Sequence, residues 1–309
     1  MSWSTRDIPD QSGRRIVITG VTGGLGFHTA LELGRAGADL VVTARDAAKA
    51  AETIDRLRRE VPDVSVEELS LDLADLGDVA RAAAELKERH DRIDVLVNNA
   101  GIMIPPYTET ADGFELQIGT NHLGHFAWTA ALWPVLRASD ARVVSVSSLA
   151  HTSVRGIDLR SLTTEGSPRR YKRWQSYGES KLANLLFALE LDRRIKAAGL
   201  GAASLAVHPG ISSTNLQKTG VGMGNPFAGS ALKQVSKLAS QSAAAGAWST
   251  LRGATEESLT GGEYIGPGSL GGVRGRPRQV GTSSTAKDED LAAALWTASE
   301  AATGVDFTL

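Results

Sequence analysis

Short apolar runs alternate along most of the chain with longer segments of mixed apolar and charged residues. Runs such as RIVIT at Arg15–Thr19 and RVVSV at Arg142–Val146 are typical of strands buried on both faces. The segments between such runs place their apolar residues at helical spacing. Because strand–helix alternation requires right-handed crossovers between parallel strands, the pattern predicts an α/β fold. We expect a single-domain, doubly wound (Rossmann-type) parallel sheet with helices on both faces.

The periodicity also gives the bounds of the expected elements. The predicted strands are Arg15–Thr19, Asp39–Thr43, Val64–Leu69, Ile93–Val97, Arg142–Val146, Ser204–Val207 and a last short one at Glu263–Ile265. The predicted helices are Gly24–Ala36, Ala47–Glu60, Asp75–Arg89, a largely helical Gly113–Ala138, Ser176–Ala198 and Asp288–Ser299. Residues 1–309 are expected to form one domain, without internal repeats.

Three regions interrupt this pattern. Residues 149–176 are expected to be an inserted loop, and the part between Ser153 and Ser176 has a net charge of +4. That charge could select an anionic substrate or a partner, but we favour the simpler interpretation, a solvated surface loop. Residues 220–260 are Gly/Ser-rich and then amphipathic, which favours a lid over a cleft. Gly, Pro and Arg crowd residues 261–284, which predicts loops around one short strand.

Composition narrows the function classes. The chain of 309 residues is 42% hydrophobic and 22% charged, and its net charge of −2 gives no general attraction to nucleic acid or to an anionic membrane. It contains no cysteine, which excludes disulfides and thiolate chemistry. No apolar run has the roughly 18 residues that a membrane span needs, and the polar N-terminus does not resemble a signal peptide. We therefore expect a soluble, cytoplasmic protein.

A glycine-rich turn follows the first predicted strand. Its pattern, Thr19-Gly20-x-x-x-Gly24-x-Gly26, leads directly into a predicted helix. The glycines allow a tight turn and a close approach of the backbone, while the helix N-terminus presents free amide protons to a pyrophosphate. Glycine triplets alone are weak signals, but the strand–turn–helix context favours a dinucleotide site.

The end of the second strand indicates which dinucleotide binds. An NAD site would have a carboxylate there for the ribose hydroxyls, whereas Ala44 occupies that position and is followed by Arg45. A guanidinium at Arg45 could face a 2′-phosphate and stack on adenine. Asp46 is open to two interpretations, as the ribose acid or as the N-cap of the next helix, and we favour the cap. NADP(H) is accordingly the expected cofactor, with NAD(H) as the alternative.

Polar residues also end the third and fourth predicted strands. Asp72 could accept a hydrogen bond from the adenine amino group or simply form a turn. Asn98-Asn99-Ala100-Gly101 follows the fourth strand, where side-chain amides could brace the sheet edge or line the adenosine cleft. A plain turn is the alternative. Because carboxyl ends of parallel strands form the ligand cleft of such sheets, both positions are candidates for cofactor contacts.

A second set of residues has the chemistry for proton transfer. Tyr177 and Lys181 lie four apart on a predicted helix and share one face, so the ammonium is expected to lower the pKa of the phenol toward neutrality. Ser148 follows a strand and could polarise a substrate oxygen, or cap a helix. Asn121 lies inside a predicted helix, where asparagine is unfavourable, which indicates a polar role. His122 and His125 lack the acidic partners of a metal site, so no metal is expected.

In this order along the chain, the motifs resemble the short-chain dehydrogenase/reductase family over roughly Arg14 to Thr214. The resemblance implies that Asn121, Ser148, Tyr177 and Lys181 form a catalytic tetrad. It also implies that Pro209-Gly210-Ile211-x-x-Thr214 holds the nicotinamide carboxamide through the Ile211 backbone and the Thr214 hydroxyl. The expected cofactor-binding residues are Gly20, Thr22, Gly24, Leu25, Gly26, Arg45, Asp72, Leu73, Asn99, Ala100, Gly101, Tyr177, Lys181, Pro209, Gly210, Ile211 and Thr214.

Within that family, Ser145–His151, Ser180–Leu186 and Val207-His208-Pro209-Gly210 resemble the retinol-dehydrogenase-like branch. The expected reaction is hydride transfer between NADP(H) and a carbonyl or alcohol, with an apolar aldehyde or ketone as substrate. The alternatives are an NAD-dependent alcohol dehydrogenase, a catalytically silent dinucleotide-sensing regulator, and a sugar-nucleotide epimerase, whose usual glycine spacing is different. Dimers or tetramers through the helix Ser176–Ala198 are expected by the same resemblance, although a monomer is also compatible with it.

Overall fold

A computed structural model describes residues 3–163, 170–212 and 241–309. In this part of the chain, eight strands form one sheet in the order β3-β2-β1-β4-β5-β6-β7-β8. All neighbouring strands are parallel except β7 and β8, which are antiparallel. The strands are β1 Arg15–Thr19, β2 Asp39–Ala44, β3 Val66–Ser70, β4 Val95–Asn98, β5 Arg142–Val146, β6 Ala203–Val207, β7 Tyr264–Ser269 and β8 Arg274–Gln279.

Helices connect the strands and cover both faces of the sheet. The longer ones are α1 Gly24–Arg35, α2 Ala47–Glu60, α3 Leu76–Arg89, α4 Gly124–Ala138, α5 Arg173–Ala197, α6 Ala243–Thr255 and α7 Glu289–Thr303. A short helical turn at Leu116–Ile118 and a π-helical turn at Gly119–Leu123 precede α4. The predicted doubly wound sheet is thus confirmed, and most predicted bounds agree with the structure to within a few residues.

Side-chain alternation along the strands gives the sheet two apolar faces. Ile16 and Ile18 of β1 point to one core, which also contains residues of α1, α2 and α6. Val17, between them, points to the opposite core, formed with α3, α4, α5 and α7. Because both faces are covered, the central strands are apolar at nearly every position. This burial on two sides fixes the strand register and holds the carboxyl ends of the strands at one edge.

The strand order reverses between β1 and β4, which pair directly through Ile18 and Val97. The two chain segments that follow these strands therefore lie side by side at the carboxyl edge of the sheet. In an open α/β sheet, a crevice at this reversal is the usual place for a ligand.

Residues 261–284 correct a prediction from sequence. We expected loops around one short strand, but β7 and β8 form an antiparallel pair at the end of the sheet. Three arginines and one proline characterise β8, whose sequence is RGRPRQ. Charges and proline protect an edge strand from pairing with another chain. The same charges and proline that protect β8 as an edge strand also remove the apolar alternation by which a strand is predicted from sequence.

The other two irregular regions are described only in part. Residues 164–169 of the expected insert and residues 213–240, which include most of the expected lid, lie outside the described residues. The described remainder of the lid range forms α6, whose Ala247, Leu251 and Ala254 are fully buried. That helix is part of the core, so the lid stays a prediction for residues 220–240 only.

The last helix covers part of α5, the helix expected to form an intersubunit contact. Trp296 of α7 stacks on Phe187 of α5, with ring centroids 5.8 Å apart and an interplanar angle of 24°. Phe126 and Phe307 complete this aromatic cluster. Since α7 already occupies this side of α5, a dimer would need a different part of the helix, and oligomerisation stays a prediction.

Candidate active site

The turn between β1 and α1 fits an anion. Gly20 and Gly24 have positive φ values of 73° and 55°, which favour glycine. A Cβ on Gly26 would lie 2.3 Å from the Gly20 carbonyl oxygen, so only glycine permits this packing. The α1 N-terminus has no side-chain cap and no acidic residue in its first turn. Its free amides and positive dipole end suit a pyrophosphate, as the sequence predicts.

The segment after β4 braces this turn. Asn99 Nδ2 donates hydrogen bonds to the carbonyl oxygens of Thr19 at 2.7 Å and Gly20 at 3.1 Å. The Thr19 hydroxyl accepts from the backbone amides of Asn99 and Ala100, both at 2.9 Å. The bracing interpretation of this motif therefore describes the structure better than a plain turn. A Cβ on Gly101 would lie 3.3 Å from Lys181 Nζ, which places this segment against the catalytic candidates.

Arg45 and Asp46 have different surroundings at the end of β2. Asp46 is the N-cap of α2: its Oδ1 accepts from the Lys49 amide at 3.1 Å, and its Oδ2 lies 2.9 Å from Lys49 Nζ. The predicted cap is thus present, and both carboxylate oxygens are occupied. Arg45 is exposed, and within the described ranges its guanidinium makes neither a hydrogen bond nor an ion pair. The guanidinium of Arg45 is therefore available to bind a 2′-phosphate.

Asp72 and Leu73 lie at the end of β3. Asp72 Oδ1 accepts from the Ala74 amide at 2.9 Å, so this residue forms the turn that was one of its two interpretations. The carboxylate is half-buried, and its second oxygen remains the candidate acceptor for an adenine amino group. Leu73 is buried, and its carbonyl oxygen would lie 2.3 Å from a Cβ on Gly124.

Asn121 lies in the π-helical turn before α4, where the backbone departs from regular helix. Its Oδ1 accepts from the Ile102 amide at 2.8 Å, and its Nδ2 donates to the Ile102 carbonyl and to the Ser180 hydroxyl, both at 3.0 Å. The side chain is fully buried and has a partner for each polar atom. Because π-turns are often found at functional sites, the misfit noted in the sequence marks a real irregularity.

Ser148 and Tyr177 meet at the carboxyl end of β5. The Ser148 hydroxyl accepts from the Ala150 amide at 3.1 Å, capping a short 3₁₀ turn, and it also hydrogen bonds to the Tyr177 phenol. The predicted cap is thus present, while the role of the Ser148 hydroxyl in polarising a substrate oxygen stays a prediction. Tyr177 is only 8% exposed, which places its hydroxyl where water competes little for a substrate oxygen.

Lys181 lies one helical turn after Tyr177 on α5. Its Nζ lies 5.9 Å from the centroid of the Tyr177 ring and donates to the Val146 carbonyl at 3.1 Å. A Cβ on Gly101 would meet both this Nζ, at 3.3 Å, and Asn121 Oδ1, at 3.2 Å. Burial lowers the pKa of the Lys181 ammonium to about 8. The four predicted catalytic residues are therefore brought to one place.

The pKa of Tyr177 differs from the prediction made from sequence. We expected the nearby ammonium to lower it toward neutrality, whereas burial raises it, and the hydrogen bond to Ser148 opposes only part of that increase. The physical reason is that a charged phenolate would lose its hydration at this depth. The phenol therefore keeps its proton at neutral pH, as a general acid requires.

The loop after β6 is only partly described. Gly210 has a φ of 66°, and Pro209 accepts a hydrogen bond from the Gln241 side chain at 2.8 Å. The Ile211 amide donates to the Val273 carbonyl, and its carbonyl accepts from the Gln241 amide, both at 2.9 Å. In this arrangement, the second lone pair of the Ile211 carbonyl is the group left for a carboxamide. Thr214 lies outside the described residues.

Several residues near the site have surroundings that sequence reasoning did not give. His151 is buried, with Nδ1 2.7 Å from the Ser148 carbonyl oxygen. Trp174 is 60% exposed and packs edge-on against Tyr177, with ring centroids 6.5 Å apart. Gln117 links the Ile104 amide to the start of α5. The contacts of Gln117 join segments that are distant in the sequence, so local sequence patterns do not predict them.

Residues 3–163, 170–212 and 241–309 contain neither a group of possible metal ligands nor a membrane-spanning helix. No three or more His, Asp or Glu side chains there come together as a metal site would require. Among the same residues, no helix combines the length and the apolar composition needed to cross a bilayer.

Comparisons with known proteins agree with this geometry. The family model described as short chain dehydrogenase matches residues 14–157. Human retinol dehydrogenase 13 is 36% identical over 298 residues, which are 95% of this chain and 86% of that protein. The short chain dehydrogenase/reductase dpchH of Colletotrichum higginsianum is 39% identical over 69% of this chain, a match that spans only 57% of its own length.

The solved structures give the same result. The crystal structure of an uncharacterized protein from Mycobacterium Paratuberculosis is 41% identical to this chain. It superposes with a TM-score of 0.80 over 100% of both chains. The fold is therefore shared along the full length.

Proposed function

The chain belongs to the short-chain dehydrogenase/reductase family, in its retinol-dehydrogenase-like branch, and we propose that it is an NADP(H)-dependent oxidoreductase. The reaction is hydride transfer between the nicotinamide and the carbonyl carbon of an apolar aldehyde or ketone, with the reverse reaction on the alcohol. The observation that carries the proposal is the buried phenol of Tyr177, hydrogen bonded to Ser148 and followed one helical turn later by the buried Lys181.

A protein that only senses dinucleotides would not need this arrangement. Burying a lysine is costly because its charged ammonium is more stable in water. Here burial lowers the pKa of Lys181 to about 8. An unfavourable group of this kind is typical of a functional site. Its position beside a protonated phenol favours an enzyme over a silent regulator.

Each catalytic residue has a role that follows from its surroundings. The hydroxyls of Ser148 and Tyr177 would donate hydrogen bonds to the substrate carbonyl oxygen, which stabilises negative charge developing there. Tyr177 then gives its proton to that oxygen, because its raised pKa keeps the phenol protonated until the oxygen becomes more basic. Asn121 holds the loop at Ile102 and thereby the wall facing Lys181.

The chain supplies a binding surface for the dinucleotide. The uncapped N-terminus of α1 would hold the pyrophosphate, and Arg45 the 2′-phosphate. Lys181 would donate to the nicotinamide ribose, since its Nζ lies where the segment after β4 meets Tyr177. When bound, the nicotinamide supplies or accepts the hydride.

An apolar substrate is favoured by the side chains around Tyr177. Trp174 packs edge-on against the phenol ring, yet 60% of its surface is exposed. An indole left this open beside a catalytic group is available as an apolar wall. Relatives named as retinol dehydrogenases act, by their names, on an apolar alcohol, which supports the same substrate class.

The experiment that tests the function follows deuterium from the cofactor. The protein is mixed with NADPH deuterated at nicotinamide C4 and a panel of aliphatic and aromatic aldehydes, and the products are analysed by mass spectrometry. We expect deuterium on the carbinol carbon of the alcohol, with one NADP⁺ formed for each alcohol. An epimerase would leave the cofactor reduced. Nucleotide binding without turnover of any carbonyl would leave the sensing regulator as the function.

The pH dependence should report Lys181. Its ammonium has a pKa of about 8, so the charged form predominates at pH 7 and is lost as the pH rises above 8. We expect kcat/KM for NADPH to fall about tenfold per pH unit above pH 8, since the free enzyme needs the charged amine. In Lys181→Arg the guanidinium stays charged, and this decrease should move above pH 10 even if the rate is lower. A wild-type profile that is flat to pH 10 would contradict the assignment.

A further inference from the structure

A buried histidine connects the catalytic turn to the cofactor loops. His125 is 2% exposed, and its Nδ1 lies 3.0 Å from the backbone carbonyl oxygen of Asn121. Its other ring nitrogen, Nε2, lies 2.9 Å from the hydroxyl of Thr19, at the end of β1. One imidazole thus spans the distance between a proposed catalytic residue and the first residue of the pyrophosphate turn.

The hydrogen-bond partners determine the tautomer of this imidazole. A backbone carbonyl can only accept, so Nδ1 must carry the proton that it donates to Asn121. Burial lowers the pKa of His125 to about 4, and the nearby Lys181 charge acts in the same direction, so the ring is neutral at pH 7. Nε2 therefore has a free lone pair and can only accept, which makes the Thr19 hydroxyl the donor.

With the Thr19 hydroxyl donating to His125, its proton and both of its lone pairs are used. A hydroxyl has one proton and two lone pairs. The proton goes to His125, and the lone pairs accept the amides of Asn99 and Ala100, both at 2.9 Å. The alternative acceptor for the proton, the Val97 carbonyl, lies farther away at 3.4 Å. Every group has a partner in only one arrangement, so the chain of bonds is directional.

The histidine therefore joins three segments that come from distant parts of the sequence. Thr19 begins the pyrophosphate turn, Asn99 and Ala100 form the segment after β4, and Asn121 lies in the π-helical turn. Asn98 and Thr129 extend the same polar network, because Asn98 Nδ2 donates to the Thr129 hydroxyl, which in turn donates to the His125 carbonyl. Asn98 Oδ1 has no partner in the described residues, but the bonds of His125, Thr19 and Thr129 are each made. Buried hydrogen-bond networks of this kind favour one arrangement of the surrounding backbone.

We propose that His125 is a positioning residue that sets the Asn121 turn in register with the two loops that hold the dinucleotide. This role rests on the proposed function, because it acts on the same site. This role requires no contact of the imidazole with substrate or cofactor. It orients the Asn121 carbonyl through Nδ1 and the Asn99–Ala100 amides through Nε2 and the Thr19 hydroxyl.

The first test needs no activity. In ¹⁵N-histidine-labelled protein, long-range ¹H–¹⁵N spectra from pH 5.5 to 8.5 distinguish the two neutral tautomers of His125. We expect the Nδ1–H form throughout, although the Nε2–H form is common in free histidine. In Thr19→Val the Nε2 resonance should shift, because that nitrogen loses its donor. An Nε2–H tautomer, or an Nε2 signal that ignores Thr19→Val, would overturn the proposal even if the enzyme is active.

The second test compares two histidines of the same segment. His122 is equally buried, but its Nε2 bonds to Ser299 of α7, away from the cofactor loops. Alanine at either position leaves a similar void, so thermal unfolding should change similarly. We expect His125→Ala alone to lower kcat and weaken NADPH binding, each by about tenfold, which corresponds to one lost hydrogen bond. KM for the carbonyl should change by less than about twofold.

Two replacements of His125 by side-chain amides separate its two hydrogen bonds, the one to Asn121 and the one to Thr19. In His125→Asn the side-chain amide can still donate to the Asn121 carbonyl, so kcat should recover while NADPH stays weakly bound. In His125→Gln the carboxamide oxygen can reach the Thr19 hydroxyl, so NADPH affinity should recover while kcat stays low. Equal effects of alanine at positions 122 and 125 would overturn the proposal. A wild type that shows the expected tautomer but no turnover would refute the proposed function alone.

Discussion

Replacement of Tyr177 by phenylalanine is expected to lower kcat by about 10² to 10⁴, the usual range for a lost general acid. The phenyl ring keeps the packing against Trp174, and the residue is only 8% exposed, so the fold should not change. What disappears is the hydroxyl that bonds to Ser148 and supplies the proton. The affinity for NADPH, measured by calorimetry, should change by less than about twofold.

Tyr171 gives a matched control for this change. It lies six residues earlier, and its hydroxyl is also engaged, accepting from Gln117 Nε2 at 2.8 Å and donating to the Pro105 carbonyl at 3.1 Å. Tyr171→Phe removes the same atom from the same region, and kcat should stay within about twofold of wild type. If Tyr177→Phe kept more than a tenth of wild-type turnover, the phenol would not be the proton donor and the proposed mechanism would fail.

The fold could be predicted wherever burial leaves a local signal. β1 and β5 are apolar because both faces are covered, and Asp46 and Asp288 cap helices whose starts were anticipated within a residue. β8 could not be found in this way. Its charges and Pro277 suit an edge strand, and such a strand has neither apolar alternation nor a continuous apolar run.

The sequence predicted which residues form the candidate site better than it predicted their pKa shifts. Tyr177 and Lys181 share a helix face by spacing alone, and the order of the motifs gave Asn121 and Ser148. The direction in which the Tyr177 pKa shifts could not be predicted. It depends on burial of the phenol by segments that are distant in the sequence. His125 is a similar case: its bond to Thr19 joins residues 106 positions apart, so its sequence neighbours show only a buried histidine.

Replacement of Arg45 by alanine is the second large expected effect. We expect the affinity for NADPH to fall about 10- to 100-fold and that for NADH by less than about threefold, both measured by calorimetry. The reason is that charged hydrogen bonds to a phosphate contribute about 1.5–3 kcal/mol, which the 2′-hydroxyl of NADH does not use. Arg45 is exposed, and nothing else in the described part of the chain engages its guanidinium.

Two neighbouring residues supply the controls. Lys49→Ala removes a positive charge from the same end of α2, yet Lys49 already pairs with Asp46, so both affinities should stay within about twofold. Asp46→Ser keeps an N-cap and removes the carboxylate, so NADH binding should not change. Equal losses for both nucleotides in Arg45→Ala would refute the phosphate contact. A selective loss of NADH in Asp46→Ser would instead make Asp46 the ribose acid, because only the 2′-hydroxyl form of the cofactor needs an acceptor there.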